Sequence, residues 1–296
     1  MFILKYKNFF LGLSVLIMTM SIASIFIFGL KKSIDFTGGA RVVVEYPKSV
    51  SLQSITDTLR PDFGEVKAQQ LTPNSVKFSL RDMKESDYKL LSEDLNKVST
   101  DPQIKEFSML GPSVSSEVTQ KAIIGFILVV LAIVAFITIS FLGVSQAVSS
   151  FNYGIITMVA LMHDTIIPVG VFAWLGAVKG VEVDSLFVVA ILTILGVSMS
   201  DTIVIFDRIR ENLKSHKTRS FEEVIGMSLD QSLVRSLATS ISVISVLLAL
   251  YFFGPVSIKY FALTLTIGMV VGTYSSIFVA SPLLVVIAKY FKNRTT

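Results

Sequence analysis

The chain has no cysteine, which excludes disulfides, thiolate metal sites and thiol catalysis. Histidine is nearly absent: only His163 and His216 occur, too few for a histidine-rich metal centre. No metal or cofactor is therefore expected, and no nucleic-acid partner. Charge is scarce as well, with 16% of residues ionisable as Asp, Glu, Lys or Arg against 52% hydrophobic. Soluble domains carry about 25% charged residues. The deficit falls in long apolar runs and the mean hydropathy is +0.69, so the class is integral membrane protein.

Six segments reach the roughly 20 apolar residues that cross a bilayer. They lie near Phe9–Leu30, Ala122–Leu142, Phe151–Leu175, Ser185–Phe206, Ser236–Gly254 and Tyr260–Ala288. The first is longer than a signal-peptide core of about 7–15 residues, and no small-x-small cleavage site precedes Lys31, so a retained helix is expected. Lysine and arginine bias sets orientation. Lys5 and Lys7 stand at the start of the chain, and Lys289, Lys292 and Arg294 at the end. The connection after the fourth span carries Arg208, Arg210, Lys214, Lys217, Arg219 and Arg235, whereas the opposite short loops carry only Lys179 and Lys259. Both termini are expected in the cytoplasm. Residues 1–30 then form the cytoplasmic N-terminus and first span, 31–119 an extracytoplasmic domain, and 120–296 a five-helix membrane domain with a cytoplasmic connector at about 208–235.

The long outer loop has the pattern of a folded unit. Arg41–Tyr46 reads as a strand and Ser51–Leu59 has helical apolar spacing. Glu65–Leu71 and Val76–Arg81 alternate around the Thr72-Pro73-Asn74 break, which predicts a hairpin. Ser86–Val98 is an amphipathic helix and Lys105–Leu110 a last strand. The order βαββαβ matches the ferredoxin-like motif. The fold class is a polytopic α-helical membrane protein with a small α+β domain between its first two spans. In the connector, Ser220 and Glu223 predict a capping box opening a helix striped by Phe221, Val224, Ile225, Leu229 and Leu233. That helix is expected to lie along the inner membrane surface and run into the fifth span.

Few ionisable residues fall within the spans, and such residues mark ion or proton paths. Asp201 sits on the fourth helix, about 9 Å from its inner end at 1.5 Å per residue, and Arg235 begins the fifth at a similar depth. A carboxylate that moves between an apolar setting and a cation's side takes up and releases a proton. Asp201 is therefore the expected proton carrier and Arg235 its switchable partner. A static ion pair holding helices in register is the plainer alternative. On the third helix, His163 and Asp164 precede Pro168, which cannot donate a hydrogen bond to the Asp164 carbonyl. They are either a second relay or gate, or a kinked helix whose polar pair bonds to neighbours. Gly268 and Gly272 form a GxxxG that suits close helix packing. Asp207, Arg208, Arg210 and Glu211 read as a solvated helix end.

These residues carry a resemblance to a known family. IDFTGG at Ile34–Gly39, with Asp35, Gly38 and Gly39, follows the first span; Gly111–Val114 leads into the second; MHDTIIPVG at Met162–Gly170 lies in the third. SMSDTIVIFDRIREN at Ser198–Asn212, including Asp207 and Arg208, and DQSLVRSLATS at Asp230–Ser240 are the most specific matches. Together they resemble the SecF branch of the SecD/SecF family of protein-export membrane proteins, within the resistance-nodulation-division superfamily. The resemblance implies a subunit of the bacterial inner membrane that pairs with SecD and uses the proton motive force to promote preprotein export through the SecYEG channel after SecA-driven insertion, with YajC and YidC as further partners. It places the family's membrane carboxylate and arginine on Asp201 and Arg235. The family often has asparagine where this chain has Ser200.

Three other readings compete. A proton-coupled exporter of small molecules or lipids from the same superfamily usually has two large outer domains and twelve spans. An intramembrane aspartyl protease would use Asp164 and Asp201 as a dyad, but Ser198-Met199-Ser200 replaces the Gly-x-Gly such enzymes carry. A passive scaffold predicts that Asp201→Asn is harmless.

Overall fold

A computed structural model describes residues 2–80, 83, 85–142, 148–216 and 218–292. Arg81, Lys217 and Arg294, which enter the expectations above, lie outside the described residues. The chain divides into two compact units, one of Met1–Ile27, Gly125–Val171 and Leu186–Thr296, the other of Phe28–Ile124 and Phe172–Ser185.

The elements of the first stretch are α1 (Phe2–Lys5), α2 (Lys7–Phe28), α3 (Ile34–Thr37), β1 (Gly39–Glu45), α4 (Leu52–Phe63), β2 (Val66–Thr72) and β3 (Ser75–Leu80). They are followed by α5 (Tyr88–Val98), β4 (Gln103–Leu110), α6 (Pro112–Ser140), α7 (Ser150–Lys179), α8 (Ser185–Ser215) and α9 (Phe221–Phe253). The last span is composite: α10 (Lys259–Ser275), a π-helical segment (Ser276–Ala280) and α11 (Ser281–Lys292). Among the described residues six helical stretches are long and apolar enough to cross a membrane, and all six coincide with the expected spans.

In the smaller unit the four strands form one antiparallel sheet in the order β2-β3-β1-β4, which is ferredoxin-like. Period-two alternation turns Val42, Val44, Val76 and Phe78 inward, where Ile55 and Leu59 of α4 and Leu91 and Leu95 of α5 cover them. Ser51 caps α4 by accepting from the Ser54 amide at 3.1 Å. Residues 172–185, the C-terminal end of α7 and the connection to α8, belong to this unit. Ser33 N–H donates to the Val183 carbonyl at 2.9 Å and Val183 N–H to Lys31 at 2.8 Å. Lys77 Nζ lies 2.8 Å from a Glu182 carboxylate oxygen, with both side chains largely buried.

In the membrane unit, the ring cluster of Phe141, Tyr153 and Phe206 ties the end of α6 to α7 and α8. Its apolar core also takes Ile225 and Leu229 from the start of α9 and Ile277, Ala280 and Leu284 from the last span. The connector helix runs into the fifth span as expected: α9 is unbroken through Arg235, and residues 227–253 contain neither glycine nor proline. Its capping box is formed, with Ser220 Oγ accepting from the Glu223 amide and Glu223 reaching back to the Ser220 amide at 3.0 Å. Pro168 lies inside α7, which runs from Ser150 to Lys179.

Candidate functional site

Asp164 is wholly enclosed in the membrane unit, at 0% exposure. Its Oδ2 accepts hydrogen bonds from the hydroxyls of Ser198 on α8 and, at 2.8 Å, Ser275 on α10. Its Oδ1 lies 3.1 Å from His163 Nδ1. Next to this group, Thr202 Oγ1 and Ser276 Oγ are 2.8 Å apart, and Ser240 Oγ and Thr273 Oγ1 2.6 Å apart. Tyr274 stacks over the His163 ring at 6.2 Å and donates its own hydroxyl to the Phe10 carbonyl of α2 at 2.9 Å. Small residues make room for this polar core. A Cβ on Gly272 would stand 3.0 Å from Ser198 Cβ, and one on Gly268 would collide with the Ile194 side chain.

Asp201 lies three residues beyond Ser198 on α8 and is half-buried. Ser236 of α9 is its polar neighbour. The Ser236 hydroxyl is buried and makes no hydrogen bond of ordinary geometry among the described residues. Arg235 does not pair with Asp201: no ion pair joins them among the described residues, and the Arg235 side chain is exposed. One residue along α9 points inward and the next outward, because neighbouring helical positions are about 100° apart. Arg235 instead lines a polar cleft of about 350 Å³ with Val204, Asp207, Arg208, Glu211, Gln231 and Ser232. In that cleft Arg208 donates to Gln231 at 2.7 Å and to Glu211 at 2.5 Å. The proposed protease dyad finds no support in this geometry, because both Asp164 oxygens are occupied by other groups.

The signature after the first span has its own geometry. Asp35 Oδ2 accepts from the Ser185 amide at 2.8 Å, at the N-terminus of α8, and Oδ1 pairs with Arg41 at 3.0 Å. A carboxylate there satisfies a free helix amide and complements the helix dipole. Gly38 and Gly39 have φ of 75° and 116°, and a Cβ on Gly38 would meet the Pro112 backbone at 3.3 Å. Among the described residues no group of three or more His, Asp or Glu is placed to hold a metal ion.

Comparison with known proteins decides the family. A family model described as "Protein export membrane protein SecD/SecF, C-terminal" matches residues 91–290, and a second, "SecD/SecF GG Motif", matches residues 23–50. The chain belongs to the SecD/SecF family. A Thermobaculum terrenum protein named "Protein translocase subunit SecF" is 40% identical over 296 residues, covering 96% of this chain and 92% of the relative. A Helicobacter pylori protein of the same name is 30% identical over 302 residues, covering 99% of this chain and 90% of the relative. The crystal structure of SecDF from Thermus thermophilus, described as a translocon-associated membrane protein, matches 98% of this chain at a TM-score of 0.85 and 27% identity. This chain spans 38% of that longer one. The names of these relatives describe a protein-transport component.

Sequence reading passed over Ser198, Thr202, Ser275 and Ser276. Hydroxyls in an apolar run are a weak signal, since they can bond to the carbonyl four residues back on their own helix. Thr202 does so, to Ser198 at 3.1 Å, and still reaches Ser276.

Proposed function

We propose that this chain is the SecF-type subunit of a bacterial inner-membrane export machine, paired with a SecD chain. The match to 38% of the SecDF chain supports this, since the remainder of that chain is where a SecD portion would lie. The arrangement has both termini in the cytoplasm and the ferredoxin-like unit outside. Residues 1–30, 31–119 and 120–296 serve as first span, outer domain and membrane domain. The machine uses the proton motive force to promote preprotein export through SecYEG after SecA-driven insertion, with YajC and YidC as accessory partners.

Asp201 is the proton carrier and Arg235 its partner. Arginine stays charged under all working conditions, so it can answer a carboxylate but not supply the proton. Proton uptake neutralises Asp201 and frees it from any cation. Proton release leaves a charge inside the membrane unit that Arg235 answers if the side chain swings from the cleft toward α8. The observation that carries the reading is the half-buried Asp201 beside Ser236, with Arg235 one residue away in an adjoining polar cleft. The cluster Asp207 and Arg208 is the cleft's wall, and Gly268 and Gly272 allow the close packing of the last span on α8.

The test is preprotein transport across vesicles that contain SecD, SecYEG and SecA, with and without this chain. An imposed proton gradient should speed transport only when the chain is present. Equal acceleration without it overturns the proposal.

A further inference from the structure

The most completely organised carboxylate in the membrane unit is Asp164, not Asp201. Three helices converge on it: His163 from α7, Ser198 from α8 and Ser275 from α10. With both hydroxyls donating to Oδ2, the natural tautomer of His163 carries its proton on Nδ1 and donates to Oδ1. Nε2 is then a bare acceptor, buried and without a hydrogen-bond partner among the described residues. An orphaned buried polar atom costs stability, and holding helices together does not require one. Tyr274 is the titratable group facing His163 from α10, and its hydroxyl is engaged by Phe10 and Ser14 of α2. On α8 the titratable residue closest in sequence to Ser198 is Asp201. Among the described residues, the ion pairs of Asp164 include no lysine or arginine.

A second observation coincides with this site. The last span changes from α to π at Ser276, immediately after Ser275. Isolated π segments inside α-helices occur frequently at functional sites. Here the two serines at the junction reach Asp164 and Thr202 respectively.

We propose that His163 and Asp164 form a second proton-binding site, in series with Asp201 and joined to it through Ser198. A proton arriving at Nε2 of neutral His163 forms a new N–H bond there. The Nδ1–H bond breaks and its proton passes to Asp164 Oδ1. The imidazole remains neutral with its tautomer exchanged, and the carboxylate becomes a neutral acid, so the pair goes from one negative charge to none. In the onward step the carboxyl turns so that its proton faces Ser198, which accepts it while releasing its own hydroxyl proton toward Asp201; this restores the carboxylate, and the imidazole returns to its first tautomer by losing a proton at Nε2 as it gains one at Nδ1. Ser198 and Asp201 are three residues apart on α8, about 4.5 Å along the axis. The onward acceptor rests on the proton-carrier reading of Asp201; the site itself rests on the contacts of Asp164.

Infrared difference spectra of the full-length chain with SecD in lipid vesicles, recorded as pH is stepped, test this directly. A protonated carboxyl gives a C=O stretch that shifts in heavy water. Asp164→Asn should remove one titrating band that Asp201→Asn leaves in place. Ser198→Ala should move that band to higher frequency by removing a hydrogen bond, and His163→Gln should shift its titration midpoint. If Asp164→Asn removes no band, the second site is overturned, while a band lost in Asp201→Asn still supports the carrier. If Asp201→Asn removes none but Asp164→Asn does, the carrier reading fails and the second site stands. Should Asp164→Asn fail to insert, an unmoved band in Ser198→Ala overturns the proposal.

Discussion

Gly170 sits where the first and third spans touch backbone to backbone. A Cβ built there would lie 2.5 Å from Ser21 Cα and 2.7 Å from the Ser21 carbonyl oxygen. Carbon atoms prefer separations of about 3.5 Å or more. Gly170→Ala must therefore push α2 and α7 apart by about 1 Å, since backbone has no rotamer to yield. That shift also lengthens the bond from Ser24 Oγ to the Gly170 carbonyl, now 2.8 Å, beyond hydrogen-bond range. Overpacking costs about 1–3 kcal/mol, and the lost hydrogen bond about 0.5–1.5 kcal/mol. The helical preference for alanine returns about 1 kcal/mol, which leaves a net loss of about 1–3 kcal/mol by these central values. Gly125→Ala is the control, because nothing lies within 4 Å of its Cβ position. Thermal unfolding in detergent compares the two. Gly170→Ala should unfold well below wild type and Gly125→Ala at or above it. Gly268→Ala should fall between, because the Ile194 side chain that it meets can change rotamer. A Gly170→Ala protein as stable as Gly125→Ala refutes the close approach.

Two further predictions concern the unit that contains the sheet. Glu182→Gln removes one partner of the enclosed Lys77–Glu182 pair and should cost about 3 kcal/mol, which an apolar replacement of both residues recovers in a double-mutant cycle. Burial pushes the Tyr46 hydroxyl up to about 12 from its ordinary value near 10. The unfolded chain then loses this proton first, so stability is complete below about pH 10 and falls by about 2–3 kcal/mol as pH rises to 12. Tyr46→Phe should flatten that alkaline decline in unfolding measurements.

Local patterns were readable from residues alone. The apolar runs located the spans, the Pro73-Asn74 break located the β2–β3 hairpin, and Ser220 with Glu223 located the start of α9. These depend on spacings of a few residues. Helix ends beyond the apolar runs were less visible: α6 begins at Pro112, ten residues before its hydrophobic stretch, where proline suits a first helical turn. The enclosure of Asp164 depends on Ser198 and Ser275, 34 and 111 residues away, and no periodicity reports such a meeting. The same holds for Asp35 capping α8 across 150 residues and for the π segment after Ser275. Arg235 shows the opposite limit. Spacing along the chain put it at a depth similar to Asp201, but its side of α9 follows from packing that turns Ser236 inward.

Gradient-driven preprotein transport with the Asp201→Asn chain, assembled with SecD, SecYEG and SecA, tests proton coupling most directly. Wild type should transport faster when a proton gradient is imposed. Asp201→Asn should lose that acceleration while keeping the gradient-free, SecA-driven rate and normal assembly. An Asp201→Asn chain that responds to the gradient as wild type does would contradict the role of Asp201 as the proton carrier.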